Sequence, residues 1–314
     1  MSRPTSAARA PARSGGVGSL QDTGGGFDEI TDLEDPDLEP TDLAETLVAE
    51  GIEDGDVEIV PGSVEYTGAD PAGGLFEGGT PNIIGFDDGV VLSSGRVDEV
   101  VGPNESADNS TNFGTPGDDD LGDLVEGAST FDAATLEFEF DVPEDAEEVF
   151  FNYVFGSDEY NQFVGSAFND VFGFFLNGEN VATVPDPEDP EDELAASINN
   201  INHGFDGFDP VNPELYVNND PFNGDNVEVD PSDPPGPGVG WDPATEDEPY
   251  DTEMDGFTAV LQVQAAVDPE QNPQTLKLGV ADVADASLDS WVLIEGDTLG
   301  IEDPEDPEPD PDPC

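Results

Sequence analysis

The segment Leu136-Glu-Phe-Glu-Phe-Asp-Val142 alternates strictly between apolar and acidic residues. Successive side chains of a β-strand point to opposite faces, so the four apolar side chains share one face and the three acids share the other. Strict alternation of this kind predicts a strand that is buried on one side and solvated on the other.

Three more segments predict strands. Residues 257–265 repeat the alternation with a more apolar outer face, and residues 149–155 and 171–176 are short, aromatic, nearly continuous apolar runs. Asn177-Gly178 is a favoured two-residue hairpin turn that leads into residues 181–184. We therefore expect an all-β fold, an antiparallel two-sheet β-sandwich of jelly-roll type with one or two short helices and long acidic loops.

Acidic residues outnumber basic ones by 76 to 5, which gives a formal net charge of −71. This charge repels phosphate backbones and anionic membrane surfaces, so we expect no nucleic-acid partner. At about 1 M salt the Debye length falls to about 3 Å and the self-repulsion is screened, so the composition is typical of a protein adapted to concentrated salt. Disorder of the whole chain is the alternative, and the aromatic cluster in residues 138–175 argues against it.

The chain divides into three predicted regions. Residues 1–40 are predicted to be a disordered acidic segment, residues 41–298 a β-sandwich domain, and residues 299–314 a Pro/Asp/Glu-rich linker or the start of a stalk. A short helix is expected over residues 42–50 with Asp42 as its N-cap. Two long loops are expected inside the domain, at residues 185–193 and 225–249. No apolar run approaches the length of a membrane span, so we expect no direct span.

Several kinds of catalytic site are disfavoured by the residue inventory. Pairs of acids suited to glycoside hydrolysis arise by chance in so acidic a chain. His203 is the only histidine and no G-x-S-x-G segment is present, so a serine triad is not expected. Cys314 is the only cysteine, which excludes an intramolecular disulfide and leaves too few nitrogen and sulfur ligands for zinc. We expect no catalytic residues.

Calcium is the metal that this inventory permits, because it takes six to eight oxygen ligands from carboxylates, amides and the backbone. Acids embedded among apolar residues are the best candidates, since burying carboxylates without a counter-charge is expensive and the domain holds only Arg96 and Lys277. The predicted ligands are Asp158, Glu159, Asn169, Asp170, Asp282, Asp285 and Asp289. The alternative is that these acids cap turns or are solvated.

Two N-x-S/T triplets lie close together in a polar loop. Asn104 and Asn109 are therefore predicted glycosylation acceptors if the chain is exported.

An ordered set of short motifs resembles the choice-of-anchor L domain family. They are residues 85–95, 130–138, 151–160, 168–178, 198–202, 216–219, 255–258 and 280–290. The resemblance covers roughly residues 41–298 and implies an extracellular domain of prokaryotic surface proteins. It implies no known reaction and no catalytic residues.

From the resemblance and the composition we expect a non-enzymatic, secreted or cell-surface module of a halophilic prokaryote, stabilised by calcium. Its expected role is adhesion, with surface glycans or other surface proteins as partners. The alternatives are a calcium-dependent hydrolase of extracellular polymers, which would use carboxylates near Asp158, Asp170 and Asp285, and a structural subunit of a surface layer or filament.

No secretory signal is visible at the start of the chain, and no sorting signal or membrane anchor follows the acidic tail. We therefore expect the sequence to come from a truncated gene model or to be a fragment of a longer protein. The alternative is that Cys314 is a point of intermolecular or lipid attachment.

Overall fold

A computed structural model describes residues 27–48, 57–79, 84–104, 106, 109–189, 191–205, 207–220 and 250–301. The strands in these ranges are β1 (Glu29–Asp32), β2 (Glu58–Ile59), β3 (Glu65–Thr67), β4 (Gly73–Glu77), β5 (Asp88–Ser93), β6 (Thr130–Asp141), β7 (Glu148–Ser157), β8 (Val171–Leu176), β9 (Glu179–Asn180), β10 (Thr183–Pro185), β11 (Glu193–Ser197), β12 (Tyr216–Asn218), β13 (Gly256–Thr258), β14 (Leu261–Ala266), β15 (Gln274–Val283) and β16 (Ser290–Glu295). The α-helices are α1 (Pro40–Leu47) and α2 (Asp119–Leu124).

These strands form two antiparallel sheets of eight strands each within the described ranges. The first sheet has the order β1-β4-β5-β16-β7-β13-β12, and β14 also pairs with β7. The second has the order β10-β11-β8-β15-β6-β2, with β3 paired to β6 and β9 paired to β8. The expected two-sheet β-sandwich is confirmed.

The inner faces of both sheets supply the main core. On β6, Leu136, Phe138 and Phe140 are fully buried, while Glu137 is exposed and Glu139 is half-buried, as their alternation predicts. Fully burying an apolar side chain of this size contributes about 1.5–3 kcal/mol. The inward face of this strand therefore holds it against the opposite sheet.

One aromatic stack joins the two sheets directly. Phe151 on β7 and Phe174 on β8 have ring centroids 3.6 Å apart and an interplanar angle of 15°. Both rings are almost completely buried. The stack lies in the main core, where the two sheets face each other.

The outer faces of the central strands are also covered, which explains why β7 and β8 read as nearly continuous apolar runs. Helix α2 packs Leu121 against Val171 and Phe175 on the outside of the second sheet. On the first sheet, a separate apolar cluster includes Phe76, Val91, Val154, Phe257, Trp291 and Leu293.

The strand expected over residues 257–265 is instead two strands. Phe257 pairs with Gly156 and Leu261 pairs with Tyr153. The chain therefore advances four residues from β13 to β14 while its partner β7 advances three, which leaves one extra residue unpaired. A bulge of this kind bends the strand. Between the two strands, the N–H of Ala259 donates to the carbonyl of Leu215, a residue that the local pattern does not reveal.

Disorder was expected through residue 40, and the structure corrects this for residues 27–40. Strand β1 pairs with β4 at the edge of the first sheet, although it is too short and polar to be recognised from its sequence. Helix α1 begins at Pro40 with Glu39 as the N-cap, and Asp42 is the third helical residue, whose carboxylate accepts from the N–H of Glu39 (2.7 Å). Of the segments predicted from the sequence, residues 1–26 of the disordered region, 49–50 of the helix, the loop at 225–249 and residues 302–314 of the linker lie outside the described part of the chain.

The loop expected at residues 185–193 is largely confirmed, because residues 186–192 connect β10 to β11. Among the described residues, neither helix is long and apolar enough to cross a lipid bilayer.

Candidate functional site

Acidic side chains meet at one end of the sandwich. Asp158 directly follows β7, Asp170 directly precedes β8, and Asp289 directly precedes β16. Strands β7 and β16 pair in the first sheet, and β8 and β15 pair in the second, so the ends of four strands come together. We call the resulting group the acid cluster; it comprises Asp158, Glu159, Asp170, Asp282, Asp285 and Asp289.

Burial separates these acids from those of the protein surface. Asp158, Asp170, Asp282 and Asp289 are 0% exposed, and Glu159 is 2% exposed. Asp285 is half-buried, in the turn between β15 and β16. Water therefore cannot solvate most of these carboxylates, and their charge must be compensated within the protein, compensated by a bound ion or removed by protonation.

Backbone donors from remote segments satisfy two of the acids. The N–H of Asn109 donates to Asp158 Oδ2 (3.1 Å), and the N–H of Asp255 donates to Asp158 Oδ1 (3.3 Å). The N–H of Thr111 donates to both oxygens of Asp289 (2.8 and 3.1 Å). The segment around residues 109–111 is thereby held over the end of the sandwich.

Asp170 connects the two sheets. Its Oδ1 accepts from the N–H of Val283 (2.8 Å), and its Oδ2 accepts from the hydroxyl of Ser290 (2.7 Å). Val283 ends β15 in the second sheet, whereas Ser290 begins β16 in the first. The carboxylate therefore has a donor at each oxygen.

Three other acids keep oxygens without a donor. In the described residues, both carboxylate oxygens of Asp282, Oε2 of Glu159 and Oδ1 of Asp285 are buried and have no hydrogen-bond partner. An unsatisfied buried polar group costs about 1–3 kcal/mol, and more if it is charged. These oxygens are the part of the cluster that the protein itself leaves uncompensated.

The alternation of β15 explains why Asp282 points inward. Leu276, Leu278 and Val280 lie in the core between the sheets, and Asp282 follows two residues later on the same face. Ala281 and Val283 pack on the opposite face, against the cluster that α2 covers. The alternation of β15 therefore places the carboxylate of Asp282 at the end of the apolar core.

Burial is the main cause of altered protonation in the cluster. It raises the pKa of Glu159 to about 10, with further increases from Asp170, Asp285 and Asp282. It raises the pKa of Asp170 to about 8, although the bonds from Ser290 and Val283 oppose the shift. It also raises the pKa of Asp289 to about 7.

The pKa of Asp282 is likewise raised well above its ordinary value, first by burial and then by Asp170. The Ser94 hydroxyl acts on Asp282 as a weak side-chain hydrogen-bond donor and offsets part of this shift, but its geometry falls short of a full hydrogen bond.

The basic side chains of the described residues are engaged elsewhere. Arg96 pairs with Asp32, Glu34 and Asp98, and Lys277 pairs with Asp118 and Asp120. Burial lowers the pKa of His203, which favours its neutral form. None of these ion pairs includes a member of the acid cluster.

The predicted ligand Asn169 is directed elsewhere. Its side-chain oxygen accepts from the N–H of Asn199 (2.7 Å), in the turn after β11. Across the described ranges, no three acidic, histidine or cysteine side chains already have the mutual spacing of a metal-ligand shell. The structure therefore brings six of the seven predicted ligands into one region without forming a preorganised shell.

Sequence reasoning missed Asp255 as a neighbour of the cluster. Asp255 is fully buried, and after burial itself it is the largest cause of the raised pKa of Asp158. Its Oδ1 accepts from the side-chain amide of Asn104 (2.8 Å). Asp255 begins one of the motifs noted in the sequence, and this was the available signal.

The same contact bears on glycosylation. A glycan would be attached through Nδ2 of Asn104, but this atom is buried and donates to Asp255, with the carbonyls of Asn219 and Met254 also within reach. The structure therefore disfavours Asn104 as an acceptor in the folded domain. Asn109 is half-buried, and its glycosylation stays a prediction.

A family model for the choice-of-anchor L domain matches residues 33–300, which include every member of the acid cluster. The chain belongs to the choice-of-anchor L domain family. The match encloses the two sheets from β2 to β16 and extends the resemblance seen in the separate motifs. Comparison with curated proteins and with solved structures gives no match.

The choice-of-anchor L domain is a surface-anchoring module rather than a known enzyme family, and membership points to a cell-surface protein. The motifs that carry the resemblance also build the cluster. Asp158 and Glu159 lie in residues 151–160, Asp170 lies in residues 168–178, and the remaining three acids lie in residues 280–290.

Proposed function

We propose that this choice-of-anchor L domain is a non-catalytic cell-surface module of a salt-adapted prokaryote, stabilised by calcium. Its role is adhesion, in which its outer surface binds glycans or other surface proteins. Family membership supports the location, and the acid cluster supports the requirement for a cation.

The burial of the acid cluster carries the non-catalytic part of the proposal. A hydrolase of extracellular polymers needs carboxylates that touch its substrate. Of the carboxylates that the hydrolase alternative would use, Asp158 and Asp170 are 0% exposed and bonded to the protein's own donors, and Asp285 is half-buried. Their position suits stabilisation of the fold better than contact with a polymer chain.

The charge distribution supports adaptation to concentrated salt. The chain carries a formal charge of −71, and the ion pairs of Arg96 and Lys277 in the described residues neutralise only a few acids. Screening by salt reduces the repulsion among the others. The same solvent is therefore the appropriate one for any binding assay.

The test is a glycan array and a cell-binding assay with folded protein in molar salt and calcium. We expect selective retention on a subset of glycans or on cells that display a partner protein. Blank results with protein of native circular dichroism would contradict the adhesive role. Turnover of a polymer substrate that is lost in a folded Asp170→Asn variant would favour a hydrolase, and ordered filaments or lattices in electron micrographs would favour a structural subunit.

A further inference from the structure

We infer that Asp282, Glu159 and Asp285 form the centre of a divalent-cation site, which calcium fits best. Asp158, Asp170 and Asp289 shape the surrounding backbone instead of serving as principal ligands. The inference rests on the calcium requirement in the proposed function and assigns it to particular residues.

The hydrogen bonds divide the cluster in this way. Each oxygen of Asp158, Asp170 and Asp289 accepts from at least one donor in the protein. By contrast, within the described residues Asp282 has two buried oxygens without a donor. Buried carboxylates are normally compensated by donors, by a counter-charge, by a metal or by protonation. In the described residues no ion pair reaches Asp282, so a bound cation and a proton are the two ways to neutralise it, and they compete for the same oxygens.

The unsatisfied oxygens belong to neighbouring residues. The elements that carry these acids meet at the same end of the sandwich, where β7 pairs with β16 and β8 pairs with β15. The charges of Asp170, Asp285 and Asp282 add to the effect of burial on the pKa of Glu159, which agrees with this placement. Glu159 follows β7, Asp282 lies near the end of β15, and Asp285 lies in the following turn. A cation held by all three would connect the end of the first sheet to the end of the second.

The chemistry of the donors selects a hard divalent ion. The cluster offers carboxylate oxygens without nitrogen or sulfur, and Arg96 and Lys277 in the described residues are paired with acids outside the cluster. Calcium accepts six to eight oxygens in flexible geometry, so main-chain carbonyls and water would complete the coordination. Since the three side chains do not yet have ligand spacing, we expect them to rotate toward the ion on binding.

The experiment uses the full chain, freed of metal by a chelator and kept in 2 M KCl so that ionic strength is constant. Calcium chloride is added while the melting temperature and the heat of binding are recorded, with magnesium chloride in a parallel series. We expect a saturable rise in melting temperature with one calcium ion bound per chain, because a ligand of the folded state stabilises it by mass action.

Two variants locate the site. Asp282→Asn and Glu159→Gln preserve the shape of the side chain but remove one charge each. Changes to residues that only support a ligand weaken metal binding about 10–100-fold, so loss of a ligand itself should weaken calcium binding on the order of 100-fold. Without calcium, Asp282→Asn should melt no lower than the wild type, since it replaces a buried carboxyl group that must either stay charged without a counter-charge or take up a proton. Having both variants keeps the test decisive if one fails to fold.

Asp132→Asn is the matched control. Asp132 is 1% exposed and accepts from the N–H groups of Phe113 and Thr115 and from the Thr115 hydroxyl. The charge of Asp132 contributes to the raised pKa of Asp282, but both Asp132 oxygens are occupied by donors of the protein. This variant should therefore melt lower than the wild type but keep most of the calcium-dependent rise.

The inference is overturned if calcium does not change the melting temperature of the wild type. It is also overturned if the folded ligand variants bind calcium as tightly as the wild type, or if Asp132→Asn loses the response as completely as they do. A calcium response together with blank glycan and cell assays would remove the adhesive role and leave the site. Positive glycan or cell assays without a calcium response would remove the calcium site and leave the adhesive role.

Discussion

The carboxylate of Asp289 occupies the space in which a side chain at position 95 would begin. A β-carbon added to Gly95 would overlap both the carboxyl carbon and the oxygens of Asp289. Gly95 closes the motif at residues 85–95, and Asp289 belongs to the motif at residues 280–290. Two motifs that are distant in sequence thus meet at a position where only glycine fits.

Gly95→Ala should destabilise the fold by about 3 kcal/mol, because Asp289 would have to move and break its bonds with the N–H of Thr111. Denaturant unfolding at fixed salt measures the change. Gly127→Ala is the control, since open space surrounds Gly127 and only its positive φ (75°) opposes alanine, at a cost of about 1–2 kcal/mol. Equal losses in both variants would contradict the steric explanation.

Asp118→Ala should destabilise the protein by about 2 kcal/mol, whereas Asp120→Ala should cost less than about 1 kcal/mol. Asp118 accepts from two N–H groups as the N-cap of α2, and its carboxylate also holds the ammonium group of Lys277 (2.7 and 2.8 Å). Asp120 reaches the same ammonium group (2.6 Å) but is 62% exposed. Equilibrium unfolding of the two variants provides the comparison, and the reverse order would refute the capping role.

Lowering the pH should destabilise the wild type relative to a His203→Phe variant. His203 is buried against the ring of Tyr216 (centroids 5.0 Å apart), and burial lowers its pKa below the ordinary 6.5. Between the folded and unfolded pKa values the unfolded state binds more protons, so stability rises with pH in this window. The stability that neutral His203 contributes is complete above its unfolded pKa of 6.5 and is lost as the pH falls toward its folded pKa.

The measurement is the difference in unfolding free energy between the two proteins at several pH values from 7.5 downward, in constant salt. The acids titrate in both proteins, so their contribution cancels to first order. A difference that is independent of pH would show that the protonation of His203 is not linked to folding.

Phe174→Ala should cost about 3–5 kcal/mol, because it removes a fully buried ring and leaves a cavity between the sheets. Phe208→Ala is the matched control, since Phe208 is 37% exposed and should contribute much less. Thermal and denaturant unfolding should both show this ranking. Similar losses at the two positions would mean that the Phe151–Phe174 stack does not join the sheets as described.

Raising the salt concentration from 0.1 to 2 M should raise the melting temperature strongly, because the Debye length falls from about 10 Å to below about 3 Å. The series should be repeated with NaCl, KCl and choline chloride at equal ionic strength and without divalent ions. Screening of a chain with a charge of −71 predicts similar rises for all three salts. A rise with only one cation would instead indicate specific binding of that ion.

Sequence patterns were sufficient to predict the layers of this fold. The alternation in β6 and the apolar runs of β7 and β8 reflect burial on one or both faces, and burial depends mainly on local order along a strand. The turn at Asn177-Gly178 was also predicted from neighbouring residues alone, and both residues have the positive φ that such a turn requires (53° and 80°). The edge strand β1 and the break between β13 and β14 were missed because their partners are remote.

The sequence by itself determined that the chain is a β-sandwich of the choice-of-anchor L family and that any metal site in it would use oxygen ligands. Tertiary structure decided which acids the protein satisfies. Asp158 and Asp289 receive N–H donors from the segment around residues 109–111, whereas Asp282 receives none in the described residues. Such donors come from distant parts of the chain, so the difference between a compensated and an uncompensated carboxylate appears only when the strands are packed together.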